Sequence, residues 1–162
     1  MKREVTLTTT QQAAFERLMA GFPAAYVLVL RGDAGMGKTT VLRKVHAATG
    51  GAFRGIGEFL SELVSRTPDA VEEAFLGMLD DALAGHSVVI VDDLHLVTTM
   101  VRSRGHGRTY LLDAALTAVL GEAAAQQKTL IFGSAEEVPW PIRLRAFTAE
   151  IAPEEMLVVR HD

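Results

Sequence analysis

The 162-residue chain contains no cysteine, which excludes disulfides and thiolate metal sites and agrees with a cytoplasmic location. No apolar run approaches the roughly 20 residues that a membrane-spanning helix requires. Met1-Lys2-Arg3-Glu4 leads into threonines and glutamines instead of the apolar core of a signal peptide. Positive charge is not in excess either. A net charge of −4 and a pI near 5.7 argue against a protein that covers itself in nucleic acid, while leaving room for a local basic patch. Repeats, low-complexity tracts and linkers are also lacking. What is present is a 49% hydrophobic composition with a mean hydropathy of +0.21, the mark of a packed core. A single domain over residues 1–162 is expected, large enough to bury roughly 70% of its unfolded surface.

Along the chain, apolar runs alternate with helical patterns. Thr8-Thr9-Thr10 supplies a helix cap, and Ala14, Phe15, Leu18 and Met19 fall on one face of a helix from about Gln11 to Met19. Gly21-Phe22-Pro23 ends it, and the apolar run Tyr26-Val27-Leu28-Val29-Leu30 reads as a buried strand. A helix with Val41, Leu42 and Val45 on one face follows, then a break at Thr49-Gly50-Gly51 and a short segment near Ala52-Phe53-Arg54. Glu58 to Ser65 reads as a short helix, and Thr67-Pro68-Asp69 caps another that runs to about Ala84. Val88-Val89-Ile90-Val91 and Thr129-Leu130-Ile131-Phe132 are further strands. Between them lie a loop carrying Arg102, Arg104 and Arg108 and a helix from about Tyr110 to Gln126, and a last strand is expected near Met156-Leu157-Val158-Val159. Continuous apolar strands alternating with helices predict an α/β fold with a mainly parallel sheet covered on both faces.

The loop after the first strand, Gly32-Asp33-Ala34-Gly35-Met36-Gly37-Lys38-Thr39, fits G-x-x-x-x-G-K-[ST] and leads through Thr40 into a helix. A glycine-rich turn between strand and helix lets backbone N–H groups converge on phosphate oxygens, and the helix N-terminus adds a favourable dipole. Lys38 is placed to reach the β- and γ-phosphates, and the Thr39 hydroxyl to help hold magnesium. This spacing in this context predicts binding of a nucleoside triphosphate. The strand Val88–Val91 runs directly into Asp92-Asp93. Ending at the sheet's carboxyl edge beside the phosphate loop, it brings Asp92 to the magnesium water shell (the Walker B role), and Asp93 to orient or deprotonate an attacking water.

With both motifs placed, the chain resembles the nucleotide-binding core of AAA+ ATPases, particularly AAA proper, over nearly its whole length. Gly57-Glu58-Phe59-Leu60 and Ala70-Val71-Glu72-Glu73-Ala74-Phe75 are similar to the family's segment before Walker B. Asp92-Asp93-Leu94-His95-Leu96 is similar to its D-E-h-D-x stretch, followed by an arginine-containing loop and the helix from Tyr110. Leu130 to Ala135 lies where that family has its sensor-1 strand, and Pro141 to Phe147 where it carries arginine fingers. The resemblance implies a P-loop NTPase three-layer α/β/α sandwich, ATP and Mg2+ as ligands, and hydrolysis in a homo- or hetero-oligomeric ring that remodels a macromolecular partner. It also implies that Ser134 senses the γ-phosphate and that Arg145, with Arg143 beside it, completes a neighbouring site. The chain departs from the pattern at Asp93, where glutamate is usual, and near Ser134 and Ala135, where asparagine is usual. Leu63-Val64-Ser65 replaces the pore-loop aromatic, and no helical lid is expected before Asp162.

Two alternatives stay open: an ATP-binding switch or scaffold with little hydrolysis, and a superfamily 1 helicase core in which Gln11 or Gln12 reads adenine. In an AAA+ ring the loop Arg102-Ser103-Arg104-Gly105-His106-Gly107-Arg108 would face the central pore and could touch a polyanion or an acidic polypeptide, the alternative being a solvated mobile loop; it has no aromatics for base stacking. His95 is assigned a structural role, and Trp140, between Pro139 and Pro141, a packing one.

Overall fold

The unbroken apolar runs become strands buried on both faces. In a computed structural model, which describes residues 6–22, 24–57, 59, 71–103 and 105–152, they are β1 (Val27–Arg31), β2 (Ala52–Gly55), β3 (Val88–Asp92), β4 (Thr129–Ser134) and β5 (Phe147–Glu150). They form one sheet in the order β2-β3-β4-β1-β5, and each neighbouring pair is parallel. Helices α1 (Thr9–Gly21) and α2 (Lys38–Thr49) cover one face. Helices α3 (Val71–Gly85), α4 (Leu94–Arg102) and α5 (His106–Ala125) cover the other, and a short α6 (Trp140–Arg143) precedes β5.

Strand alternation divides the core in two. Leu28 and Leu30, Val88 and Ile90, and Ile131 pack with Ala14, Leu18, Val41, Leu42 and Val45 under α1 and α2. Val27 and Val29, Val89 and Val91, and Leu130 and Phe132 pack with Phe75, Leu79, Val97, Leu116 and Leu120 under α3, α4 and α5. A strand apolar on both faces has no solvent side, so the parallel three-layer arrangement follows from the sequence pattern.

The helices start where their local chemistry permits. At α1 the Thr8 hydroxyl accepts from the Gln11 backbone N–H at 3.3 Å while the Gln11 side-chain oxygen accepts from the Thr8 N–H at 3.1 Å, a complete capping box. In α4 the buried residues Leu94, Val97, Thr98 and Val101 recur at helical spacing.

Three expectations need correction or fall elsewhere. The arginine-bearing loop is largely helical: Arg102 ends α4, and Arg108 lies in the first turn of α5, where its guanidinium is bonded to the buried Glu72 carboxylate of α3. The buried stripe of α4 outweighs the loop-like run of arginines and glycines. A fifth strand, Phe147–Glu150, lies beside β1, where no strand was expected; it is an edge strand in which Ala149 alone is buried. The strand expected at Met156–Val159 lies outside the described residues. So do Arg104, the Thr67-Pro68-Asp69 cap, Leu63-Val64-Ser65 and, apart from Phe59, the helix from Glu58 to Ser65. Among the described residues no helix is long and apolar enough to cross a membrane.

Candidate functional site

The sheet order makes β3, β4 and β1 consecutive neighbours, so their carboxyl ends bring Asp92, Ser134 and the loop after Arg31 to one edge. Parallel sheets collect ligands at this edge. Between β1 and α2 the loop turns tightly, with Met36 N–H donating to Asp33 O at 3.1 Å and with Gly35 and Gly37 at φ of 83° and 82°. Helix α2 starts at Lys38 with Gly37 as its N-cap and no side-chain cap, so the first amides of the helix keep their donor capacity for an anion. Gln11 of α1 braces the loop by donating from Nε2 to Met36 O at 2.9 Å. The φ at Gly37 favours glycine, and a Cβ there would lie 2.2 Å from that nitrogen and so displace the Gln11 amide from its brace.

Lys38 is 7% exposed along its side chain, and its Nζ donates to Asp93 Oδ1 at 3.2 Å. Thr39 Oγ1 donates to Asp92 Oδ2 at 2.5 Å, and the other oxygen of Asp92 accepts the Asp93 backbone N–H at 2.9 Å. Asp92 is 3% exposed, the last residue of β3. A carboxylate buried this deeply and held against a hydroxyl at the head of a phosphate loop fits a magnesium ion that keeps most of its waters. Thr39 and Asp92 are therefore the residues that would hold the metal. Asp93 caps α4 in the left-handed region at φ 57°, a costly position for a residue with a Cβ and a frequent one at functional turns.

Lys38, Thr39 and Asp93 line a cavity of about 410 Å³ together with Asp33, Ala34, Gly35, Gly37, His95 and Ala135. A larger one, about 630 Å³, lies behind the first turn of α2 against Thr40, Arg43 and Lys44. It lacks carboxylates and glycine-rich backbone, so the smaller cavity holds the chemistry. Thr40 thus has its side chain on the far side of α2. Gly32 is buried, with its N–H on Ser134 O at 3.2 Å, and Met36 contributes its carbonyl to Gln11.

The remaining expected site residues stand apart. Ser134 is 1% exposed; its hydroxyl donates to Glu136 O at 2.7 Å and accepts from Glu136 N–H at 3.2 Å, so it shapes its own turn and does not line the cavity. Arg145 is exposed in the turn after α6, and Arg143 is paired with Glu137 at 2.5 Å on the surface. The Gln11 amide is engaged with Met36 and Thr8, and Gln12 with Glu16 and Lys44, and neither lines this cavity.

Two residues gain importance that the sequence reading did not give them. His95 lines the cavity and accepts the Ala135 N–H at Nδ1, 3.2 Å away. Gly133 lies behind Asp92: a Cβ there would come within 2.6 Å of Leu42 Cδ1 and 2.9 Å of Asp92 Oδ1. The signal for Gly133 was a lone glycine inside an apolar strand, the pattern of a close approach.

With this geometry in view, a family model described as the ATPase family associated with various cellular activities (AAA) matches residues 28–150. Among solved structures, domain III of the replication initiation protein DnaA from Thermotoga maritima is similar with a TM-score of 0.59 at 14% identity, covering 97% of this chain and 72% of that one. The replication initiator DnaA bound to AMPPCP and single-stranded DNA is similar with a TM-score of 0.58 at 13% identity, over 92% of this chain and 48% of that one. The Pif1 helicase from Candida albicans follows at 0.51 and 13% identity, over 91% and 40%. At these identities the likeness is one of fold, and the chain spans about half the length of the second structure. A search of curated protein sequences finds no significant match.

Proposed function

The chain belongs to the AAA family of ATPases, and from that premise we propose that it is a magnesium-dependent ATPase core whose sites are completed between subunits. One observation carries the reading: the phosphate loop and the buried acid are joined directly, Thr39 Oγ1 to Asp92 at 2.5 Å, at the carboxyl edge of the sheet. The amides that open α2 and the Lys38 ammonium hold the triphosphate, and Thr39 and Asp92 hold magnesium. When bound, the metal neutralises charge on the β- and γ-phosphates. Lys38 leaves Asp93 for the phosphates, and Asp93 is then free to orient the attacking water and accept its proton. Water oxygen bonds to the γ-phosphorus as the bond to the β-bridging oxygen breaks, releasing ADP and phosphate with no covalent enzyme intermediate.

Arg145, exposed and without an ion-pair partner among the described residues, is the arginine we assign to a neighbour's γ-phosphate. Arg143, held by Glu137, is less available. The assembly is a ring of like or related subunits acting on a macromolecular partner; nucleic acid enters as a partner to test because one structural neighbour was bound to single-stranded DNA.

A second reading, an ATP-binding switch with little turnover, is favoured by two observations. The Ser134 hydroxyl is turned to Glu136, and Asp93 is one methylene shorter than glutamate. Phosphate release from ATP and magnesium, measured across a wide range of protein concentrations, decides between them. Specific activity that climbs with concentration and falls in Arg145→Ala supports shared sites. ATP binding without release above the Lys38→Ala background leaves the switch.

A further inference from the structure

The cavity wall opposite the phosphate loop is formed by Asp93, His95 and Ala135, from the ends of β3 and β4. Of its polar side chains, Lys38 is bound to Asp93 and Thr39 to Asp92, and Asp33 and Asp93 are themselves anions. His95 differs. Its Nδ1 accepts the Ala135 N–H at 3.2 Å, so in the neutral ring Nδ1 is unprotonated and the proton sits on Nε2. Among the described residues Nε2 has no hydrogen-bond partner. The ring is half-buried, and its backbone carbonyl accepts the Thr98 hydroxyl at 2.9 Å, which steadies the first turn of α4 beneath it. In His95, a lining residue of the anion cavity, a polarised N–H donor of fixed tautomer thus stays available. The neighbouring hydroxyl of Ser134 does not, because both its donor and an acceptor position are taken by Glu136.

We infer that His95, through Nε2–H, binds the terminal phosphoryl group of the nucleoside triphosphate and so distinguishes triphosphate from diphosphate in this chain. The inference rests on the nucleotide reading of the cavity. A chain of phosphates gripped at the start of α2 by backbone amides and Lys38 would have its free end within reach of Asp93, His95 and Ala135, which line the same cavity. Because Nδ1 is bonded to Ala135, the residue that follows β4, any shift of the ring toward the phosphoryl oxygen pulls on the end of that strand. His95 is a contact residue for the terminal group, and Ala135 N–H is what orients it.

Calorimetric titration with magnesium and either AMPPCP or ADP tests this without turnover. His95→Ala is expected to weaken AMPPCP by roughly ten- to hundredfold, the worth of a hydrogen bond to a charged group, while ADP affinity stays within about twofold. His95→Gln, whose amide N–H reaches about as far as Nε2, should keep most of the preference. His95→Asn, which reproduces only the Nδ1 position, should lose it. Equal weakening of both nucleotides, or an unchanged ratio in His95→Ala, overturns the inference. Should the alanine variant not fold, imidazole nitrogen resonances of the unmodified protein give the answer: the His95 Nε2 signal should move with AMPPCP and not with ADP, and a signal indifferent to both overturns the assignment. Lys38→Ala separates the two levels. If it leaves both affinities intact, the nucleotide reading itself has failed, whatever His95 does.

Discussion

Two corners of the molecule lie on the same side of the chemistry question and are built in opposite ways. At the phosphate loop, Lys38, Thr39, Asp92 and Asp93 are bonded to one another, and two of them, Lys38 and Asp92, are almost wholly buried. At the α6 corner a cavity of about 210 Å³ is lined by Thr98, Arg102, Asp113, Trp140 and Arg143, with Trp140 47% exposed and Leu144 just beyond it 76% exposed. Its ion pair, Arg143 with Glu137, is half open to solvent, where such pairs contribute little, about 0–1 kcal/mol. The first corner is self-sufficient: each group is fixed by another in the same chain. The second presents large apolar side chains and loosely held charge, and the exposed Arg145 beside it has no ion-pair partner among the described residues. At the first corner burial and mutual hydrogen bonds fix the charged groups, whereas the second leaves large side chains and charge in solvent.

The contrast can be broken most severely at Lys38. Lys38→Ala should reduce nucleotide affinity by about a hundredfold or more, since it removes a charged donor and leaves the Asp93 carboxylate facing phosphate; an equilibrium titration checks this. Asp93→Asn should preserve that affinity and lower turnover by about a hundredfold, as expected for loss of a proton acceptor, in single-turnover measurements at saturating ATP. Gly133→Ala acts by shape alone. The added methyl meets Leu42 and Asp92, so the fold should lose about 1–3 kcal/mol, read by denaturant unfolding. The smallest effect belongs to the other corner. Burial raises the pKa of Asp113 above its ordinary value, with a hydrogen bond from Trp140 opposing the shift. A carboxyl raised in the folded state favours folding while protonated, and that contribution is lost as pH climbs from the ordinary carboxylate value through the raised one. The melting temperature of the unmodified protein should therefore fall slightly over that interval relative to Asp113→Asn, which has no such proton to lose.

Much of this was legible in the chain itself. Strands β1, β3 and β4 are apolar at each central position, and no competing element accepts such a run, so their identity and the phosphate loop between β1 and α2 could be read directly. Asp92 followed because a strand ending in a carboxylate carries it to the sheet edge. Helix α4 was hidden, although Leu94, Val97 and Val101 have the spacing, because it is short, has no side-chain cap at Asp93 and runs into the arginines read as a loop. Strand β5 was hidden because an edge strand needs little apolar sequence: its hydrogen bonds to β1 hold it, with Ala149 as its buried anchor. The contacts of Gln11 with Met36, 25 positions away, and of His95 with Ala135, 40 positions away, have no local signature. They exist only once the sheet order has brought the elements together.

The brace from Gln11 couples two things that look separate. The same side chain closes the capping box of α1 and holds the phosphate loop, so the first turn of that helix and the loop open and close as one unit. An anion settling into the loop raises the free energy of that opening, although α1 contributes no lining to the cavity. Amide protons at the start of α1 should then exchange with solvent more slowly when nucleotide is present, and Gln11→Ala should uncouple them. Occupancy of the site should thus be readable in the protection of a helix that lines no part of the cavity.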